Sequence, residues 1–314
     1  MRVLVTGGTG YLGQAIVRAL VARGHAPVVF ARSASQSGLP GGLIDGDVRD
    51  RHALAEAARG CDAVCHSAAL VSIWRRRQRD FDEVNVGGLA NALQAAAAAG
   101  IRRFVYTSSF LALAPTGADS PQGWNDYQRT KVVADRTAAD AVEAGAPIIR
   151  VYPGVIYGPG RATEGNLIGR MVANHLAGRL PGIIGASRRW SYAFVDDVAE
   201  GHVAALEHGR LGARYQLGGE NALQMRVFEI VRDLTGRPLP RRVPFGVAVS
   251  LAVIEEARAR LTGRPPLLTV GTAEILDRDW EMDSSLAEQD LGYHITPLRD
   301  GAARMIAQLG VAPS

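Results

Sequence analysis

The sequence contains almost no lysine. Of the 35 basic residues in the 314-residue chain, Lys131 is a lysine and the other 34 are arginines. Both side chains serve well as solvated surface charge, but the compact ammonium of lysine binds ligands differently from the planar guanidinium. Lys131 is therefore a candidate for a functional role. A coding bias towards arginine that left one lysine would give the same count.

Cysteines and long apolar runs are also scarce. Two cysteines, Cys61 and Cys65, are too few for a disulfide framework, and their spacing matches no common zinc pattern. No apolar run reaches the roughly 18 residues of a membrane-spanning helix. The apolar start of the chain meets glycine at Gly7, so we do not expect it to be a signal peptide. We expect reduced, buried thiols, a cytoplasmic location and no membrane partner.

Charge is nearly balanced, with 31 acidic residues and a formal net charge of +4. The basic residues are scattered, whereas nucleic-acid binding usually needs a concentrated basic stripe, so we expect no nucleic-acid partner. Four histidines without metal-ligand spacing give no reason to expect a metal site: His25, His52, His175 and His294. A hydrophobic fraction of 47% is typical of an ordinary globular chain.

Short apolar runs alternate with helical stretches over the first 150 residues. The pattern predicts strands at 2–6, 27–31, 42–46, 63–67, 103–108 and 148–152, with helices at 12–23, 51–58, 82–99 and 127–144. Such alternation is typical of a parallel sheet with right-handed crossovers. We predict an α/β fold, a doubly wound parallel sheet with a smaller interleaved C-terminal domain. The sheet domain would comprise residues 1–155 and 190–218, and the substrate domain residues 156–189 and 219–314.

Three glycines, Gly7, Gly10 and Gly13, lie between the first predicted strand and the first helix. Glycine permits the tight turn, the close approach of the backbone to a pyrophosphate, and close packing of the helix on the sheet. The helix N-terminus then offers free N–H groups and a partial positive charge to phosphates. The sequence therefore predicts a dinucleotide site here.

The residues after the second and third strands bear on the choice of dinucleotide. An acid after the second strand would bind the ribose 2′-OH of NAD, whereas the sequence has Arg32 and Ser33, which suit the 2′-phosphate of NADP. We expect NADP(H), with NAD(H) as the alternative. Asp47, followed by Val48, is placed to accept from an adenine amino group, while Asp50 is the better candidate for a helix N-cap.

Tyr127 and Lys131 are four residues apart on a predicted helix and so share one face. A phenol with a pKa near 10 is a poor acid–base group at neutral pH unless a nearby cation stabilises the phenolate, and Lys131 is suited to that. Ser109 follows the fifth strand, at the edge where such sheets bind ligands, and can hydrogen-bond a substrate oxygen.

These motifs, taken in order, resemble an extended short-chain dehydrogenase/reductase with a Rossmann fold. The matching segments are TGGTGYLG (6–13), GDVRD (46–50), HSAA (66–69), NVGG (85–88), YTSS (106–109), YQRTK (127–131), YPGVIYGPG (152–160) and FVDDVAEGHVAAL (194–206). Within that superfamily, HSAALVSIW and YTSSFLAL are similar to the dihydroflavonol-4-reductase-like and farnesol-dehydrogenase-like branch.

The resemblance implies roles for individual residues. Tyr127 would be the catalytic acid–base, Lys131 would lower its pKa and hold the nicotinamide ribose, and Ser109 (or its neighbour Ser108) would orient the reacting oxygen. Asn85 would be a structural asparagine near the site, or an ordinary residue at a helix start. Cofactor binding would extend to Thr9, Tyr11 and Leu12 in the glycine loop, to Ser67, Ala68 and Ala69 after the fourth strand, and to Pro153. A homodimer formed through two helices of the sheet domain is common in the family.

The predicted activity is reversible hydride transfer between NAD(P)(H) and a small, fairly apolar carbonyl or alcohol. A nucleotide-sugar epimerase or dehydratase on the same fold is the alternative, and a non-catalytic cofactor sensor is a third reading. The run from Trp74 to Arg79 departs from the pattern; we expect a solvated basic helix face there rather than an anion site. Large side chains that could wall a substrate pocket are Met171, Leu176, Trp190, Tyr192, Phe245 and Trp280.

Overall fold

The computed structural model describes residues 1–161 and 163–310. Its strands are β1 (Arg2–Thr6), β2 (Ala26–Ala31), β3 (Gly42–Asp45), β4 (Ala63–His66), β5 (Phe104–Thr107), β6 (Ile148–Pro153), β7 (Val155–Tyr157), β8 (Ile183–Ile184), β9 (Arg189–Phe194), β10 (Arg214–Leu217), β11 (Glu220–Leu223) and β12 (Arg242–Val243). Its helices are α1 (Tyr11–Ala22), α2 (Arg51–Ala58), α3 (Arg79–Phe81), α4 (Gly88–Ala98), α5 (Asp126–Glu143), α6 (Leu167–Leu176), α7 (Val195–His208), α8 (Gln224–Thr235), α9 (Phe245–Thr262), α10 (Val270–Leu276), α11 (Ser285–Leu291) and α12 (Leu298–Gln308).

Seven of the described strands form one parallel sheet in the order β10-β6-β5-β4-β1-β2-β3. The chain runs outward from β1 through β2 and β3, then restarts on the other side with β4, so the order reverses between β1 and β4. The carboxyl ends of neighbouring strands diverge at such a point and leave a crevice for a ligand. The predicted doubly wound α/β fold is confirmed.

Alternating side chains of the central strands build two cores, one on each face of the sheet. Val3 and Val5 pack with apolar residues of α1 and α7, whereas Leu4 packs on the opposite face with residues of α2, α4 and α5. This is the two-residue period of a strand buried on both faces. Cys65 and Cys61 are free thiols buried in these two cores, as predicted.

Side-chain caps fix where the helices near the cleft begin. Asp50 accepts hydrogen bonds from the N–H groups of His52 and Ala53, which confirms it as the N-cap of α2. Asn125 caps α5 by accepting from the N–H of Gln128 at 2.8 Å. Helix α1 is different, because it follows Gly10 with no side-chain cap and no acidic residue in its first turn. Its first N–H groups are therefore left for another partner.

The rest of the chain forms smaller sheets around an aromatic core. Strands β11, β9 and β7 form a three-stranded sheet, and β12 pairs with β8. Trp190, Phe228 and Trp280 lie in the core beneath them. The chain returns to the large sheet with β10, so its second half is threaded between both sheets. The division into two interleaved domains at the predicted boundaries stays a prediction.

One local prediction was wrong: residues 74–78 form a loop rather than a basic helix face, and only the short turn α3 follows it. The helix predicted over 82–99 is present, but its first part, Asp82–Gly87, is π-helical before α4 continues it. Among the described residues, no helix is both long and apolar enough to cross a membrane.

Candidate active site

A single cleft of about 860 Å³ crosses the carboxyl edge of the large sheet at the point where the strand order reverses. The structure brings all the predicted site residues to it. They are Gly7, Thr9, Gly10, Tyr11, Leu12, Gly13, Arg32, Asp47, Val48, Ser67, Ala68, Ala69, Ser109, Tyr127, Lys131 and Pro153. The glycine loop lines the cleft where β1 ends, whereas Ser109 lines it after β5 and Tyr127 lines it from α5.

The glycine loop has the geometry of a backbone cradle. Gly7 has a φ of +71°, and a Cβ there would lie 2.6 Å from the Cα of Ala68. A Cβ on Gly13 would lie 2.2 Å from the Gly7 carbonyl oxygen. The loop therefore cannot carry side chains at these positions, and the uncapped start of α1 faces an open crevice. This arrangement fits the pyrophosphate of a dinucleotide, which the backbone N–H groups would hold.

The part of the cleft that follows β2 and β3 contains charged side chains. Arg32 and the uncharged Ser33, just after β2, line this part, and Arg32 makes no ion pair among the described residues. Asp47 is held by Arg49, whose Nη2 lies 2.7 Å from a carboxylate oxygen, and this bond lowers the pKa of Asp47. Arg49 therefore competes with an adenine amino group for the Asp47 carboxylate, which the sequence did not predict.

Tyr127 is half-buried, and its phenol carries a raised pKa of about 12, because desolvation disfavours the phenolate. Hydrogen bonding with Ser109 acts in the opposite direction. The phenol is therefore neutral at physiological pH. The lowering of its pKa by Lys131, which the resemblance implied, stays a prediction. The Ser109 hydroxyl oxygen accepts from the Leu111 N–H at 3.2 Å, so its O–H can donate to the Tyr127 oxygen or to a ligand in the cleft.

Lys131 lies one helical turn beyond Tyr127 and is 4% exposed. Its Nζ donates to the Thr107 carbonyl oxygen at 2.9 Å, at the end of β5, so two of its three N–H donors remain for a ligand. Burial lowers the pKa of Lys131 to about 8, while Asp135 raises it. The neighbouring His66 has a pKa of about 3, chiefly because it is buried and also because Lys131 repels its charged form.

Beneath Lys131 lies a buried polar network centred on Asp135, which the sequence analysis missed. The Asp135 carboxylate accepts from the Ser108 hydroxyl at 2.9 Å and from the Tyr152 hydroxyl at 3.1 Å. The guanidinium of Arg150 lies 3.9 Å away. Ser108 is therefore committed to this network, which favours Ser109 as the residue that faces the reacting group. The signal for Asp135 was its position four residues after Lys131, on the same helix face.

Asn85 is buried in the π-helical turn and ties two walls of the cleft together. Its side-chain oxygen accepts from the Leu70 N–H at 2.7 Å, and its amide nitrogen donates to the Thr130 hydroxyl at 2.9 Å. Leu70 belongs to the loop after β4, and Thr130 precedes Lys131 on α5. Asn85 is thus a structural residue near the site, as the resemblance implied, and not a residue at a helix start.

The part of the cleft around Ser109 and Tyr127 is mainly apolar. Its lining includes Val71, Ile73, Phe110, Leu111, Leu167, Trp190, Ile275 and Leu276. Of the six large side chains expected as pocket walls, Trp190 lines the cleft, whereas Met171, Leu176, Tyr192, Phe245 and Trp280 do not. Polar side chains enter at the rim, where Arg75 lies 3.9 Å from Glu164 and Arg170 also lines the cleft. The 74–79 run therefore contributes one arginine to the rim.

The fold and this cleft are those of a dinucleotide-dependent enzyme, and a tyrosine, a lysine and a serine line the cleft together. Comparisons with known proteins agree. The model of the NAD dependent epimerase/dehydratase family matches residues 3–218, and the chain belongs to that family. It is an NAD(P)-dependent oxidoreductase of the extended short-chain dehydrogenase/reductase type, as the sequence motifs predicted.

Two curated relatives span nearly the whole chain. Sterol demethylase protein B of Methylococcus capsulatus is 32% identical and covers 98% of both chains. A 2-alkyl-3-oxoalkanoate reductase of Stenotrophomonas maltophilia is 32% identical over 93% of this chain and 94% of its own. Among solved structures, a dTDP-glucose 4,6-dehydratase of Streptomyces venezuelae with bound NAD has a TM-score of 0.79 at 25% identity, covering 99% of this chain and 97% of its own.

Proposed function

We propose that this enzyme reduces a ketone or aldehyde, or oxidises the corresponding alcohol, on a fairly apolar small molecule, with Tyr127 as the acid–base. The observation that carries the proposal is that Ser109, Tyr127 and Lys131 line the same cleft as the glycine loop, and lie beside its apolar walls. The bound nicotinamide would supply or accept the hydride.

The residues of the chain would handle the proton. The neutral Tyr127 phenol, with its pKa of about 12, is ready to give a proton to a carbonyl oxygen that becomes an alkoxide. Ser109 would donate a hydrogen bond to that same oxygen and hold it in place. Lys131 would hold ribose hydroxyls with its two unused N–H donors and, while charged, stabilise the developing phenolate. Oxidation reverses these proton movements.

We favour NADP(H) as the cofactor, with NAD(H) as the alternative. The carboxylate paired with the end of β2 is Asp45, which lies opposite Ala31 in the sheet register. Both of its oxygens are engaged by Ser35, through the hydroxyl at 2.6 Å and the backbone N–H at 2.9 Å. Asp45 is therefore not free for a ribose 2′-OH, while the unpaired Arg32 suits a 2′-phosphate.

Substrate preference is expected to follow the apolar walls. Phe110, Leu111 and Trp190 line the cleft together with Ser109 and Tyr127, and aliphatic residues of the loop after β4 and of α10 complete it. Such walls suit a carbon skeleton better than a sugar, which needs many hydrogen-bond partners. The names of the two curated relatives, a sterol-modifying protein and an oxoalkanoate reductase, point in the same direction.

The test is a panel of apolar ketones and alcohols assayed with reduced and oxidised NADP and NAD, using wild type and Tyr127→Phe. We expect cofactor turnover by wild type, a loss of at least about 1000-fold in Tyr127→Phe, and an unchanged Kd for the cofactor. Near-normal turnover by the variant would refute the role of Tyr127. Sugar-nucleotide conversion with no net change in cofactor would instead identify an epimerase or dehydratase.

A further inference from the structure

Helix α9 carries an exposed apolar surface that the active site does not use. Eight of the fifteen exposed large apolar side chains in the described residues lie between 239 and 267. On α9, Val247, Leu251, Ile254 and Leu261 lie within about 80° of one another around the helix axis. Arg258 falls within the same sector and is paired with Glu255. Ile254 is 64% exposed and Leu261 is 88% exposed.

The packing of α9 is the reverse of an ordinary surface helix. Its buried residues are three alanines, Ala248, Ala252 and Ala259, and the ion-paired Glu255, while most of its larger aliphatic side chains are exposed. A surface helix normally directs the larger apolar residues to the core and polar ones to solvent. A helix that is apolar on both faces is typical of a helix with partners on both faces, and the described residues cover only one.

The segment that carries the exposed stripe is rich in arginine. Segment 237–272 contains six arginines and two glutamates, which is a net charge of +4 and equals that of the whole chain. Both glutamates are occupied: Glu255 binds Arg258 at 2.7 Å, and Glu256 accepts from the Val270 N–H at 2.8 Å.

Several arginines beside the stripe have no such partner. Arg241, Arg242 and Arg264 are exposed and make no ion pair among the described residues. We call this set, together with Val247, Leu251, Ile254, Leu261 and Leu267, the α9 surface.

The α9 surface lies next to the substrate end of the cleft. Ala248 and Ala252 pack on Leu268 and Ala273, so α9 lies against α10. The next turn of α10 supplies Ile275 and Leu276 to the apolar wall of the cleft. One helix therefore separates the exposed stripe from the place where an apolar substrate would bind.

We propose that the α9 surface docks on an anionic lipid bilayer, with α9 lying in the plane of the interface. The stripe from Val247 to Leu261 is about 21 Å long and would enter the boundary between headgroups and acyl chains. The flanking arginines would contact anionic headgroups. Docked in this way, the enzyme would take its substrate from the membrane beside its own cleft, a consequence that rests on the apolar substrate proposed above.

The composition of the surface favours a bilayer over a protein. The stripe is aliphatic, whereas protein interfaces concentrate binding energy in Trp, Tyr and Arg anchors set in pockets. A second copy of the chain would bring this surface against itself in a two-fold dimer. Arg241, Arg242 and Arg264 would then meet the same net positive charge, which opposes such a contact.

The test is flotation of the purified protein with vesicles of phosphatidylcholine and phosphatidylglycerol in a 7:3 ratio, compared with phosphatidylcholine alone. We expect wild type to partition at least about tenfold better onto the anionic vesicles. Leu251→Gln with Ile254→Gln should reduce that partitioning by at least about tenfold, because the apolar contact is lost. Arg241→Gln with Arg242→Gln should reduce it similarly on anionic vesicles only, and 1 M salt should act on wild type in the same way.

The matched control replaces two exposed leucines outside the α9 surface, Leu211→Gln with Leu286→Gln, and should bind as wild type does. Circular dichroism and carbonyl reduction without vesicles confirm that each variant is folded. Absence of wild-type binding to anionic vesicles would overturn the proposal, as would equal binding by all variants. A dimer in light scattering that Leu251→Gln with Ile254→Gln dissociates, without vesicle binding, would assign the surface to a second copy instead.

Discussion

Replacing Asp135 with asparagine should move the pH dependence of the enzyme through Lys131. Asp135 is the group that raises the Lys131 pKa against the effect of burial, and the balance leaves that pKa at about 8. Asparagine has nearly the same shape and retains hydrogen-bonding groups for Ser108 and Tyr152. The substitution therefore removes a charge with little change in volume.

The size of the effect follows from Coulomb's law. Side chains four residues apart on a helix are separated by about 6 Å. With an effective dielectric constant of about 20, a pair of unit charges at that distance is worth about 3 kcal/mol, which is an upper bound of about 2 on the change in pKa. We expect a fall of about 1.5. At pH 7.5 the charged fraction of Lys131 would then fall from about three quarters to about one tenth.

The assay is kcat/KM for NADPH-dependent carbonyl reduction between pH 5.5 and 9. If the charged amine is the active form, wild-type activity is present below pH 8 and is lost as pH rises through the Lys131 pKa of about 8. In Asp135→Asn the same loss should occur at lower pH, with activities converging near pH 5.5. Asp140→Asn removes an exposed carboxylate from the same helix and should leave the profile unchanged. A folded Asp135→Asn variant with a wild-type profile would refute the effect of the Asp135 charge on the Lys131 pKa. A loss of activity that is the same at every pH would show that Asp135 has only a structural role.

Three further predictions concern cofactor chemistry and stability. Lys131→Arg keeps the charge but should lower kcat by at least about 100-fold in steady-state assays, because a planar guanidinium does not fit the buried ammonium site; activity within threefold of wild type would contradict this. Arg32→Gln should raise KM for NADPH by about tenfold and leave KM for NADH unchanged, and equal effects on both cofactors would refute the 2′-phosphate contact. Arg103 donates to carbonyl groups at the end of α7, so Arg103→Ala should lower the free energy of unfolding in urea by about 2 kcal/mol, with the exposed Arg102→Ala as a near-neutral control.

The large sheet and the cofactor end were predictable because their signals are local. Strand β1 reads as an apolar run that ends at a glycine loop, and the helix α2 begins at the predicted residue because Asp50 caps it. Tyr127 and Lys131 could be placed together from helical spacing alone. These features depend on neighbours within a few residues, which a sequence displays directly.

The remaining features depend on contacts between distant segments. The basic run at 74–78 has helix-compatible residues but forms a loop. One of its arginines, Arg75, lies at the cleft rim near Glu164, which belongs to a distant part of the chain. The orientation of α9 could not be predicted either. The apolar residues of this helix are distributed over more than one face, so their periodicity does not show which face is buried. The raised pKa of Tyr127 also results from burial by distant segments.

The solitary lysine also makes the cleft chemically addressable. Lys131 carries the only ε-amine of the chain. An amine-selective acylating reagent therefore has one side-chain target besides the α-amino group, and its extent of reaction can be read from the mass of the peptide that contains Lys131. That amine is nearly inaccessible and sits where ribose hydroxyls are expected to bind. The rate of its modification would therefore measure how accessible this amine is to solvent. Protection by a dinucleotide would measure occupancy of the cofactor site before any substrate is known.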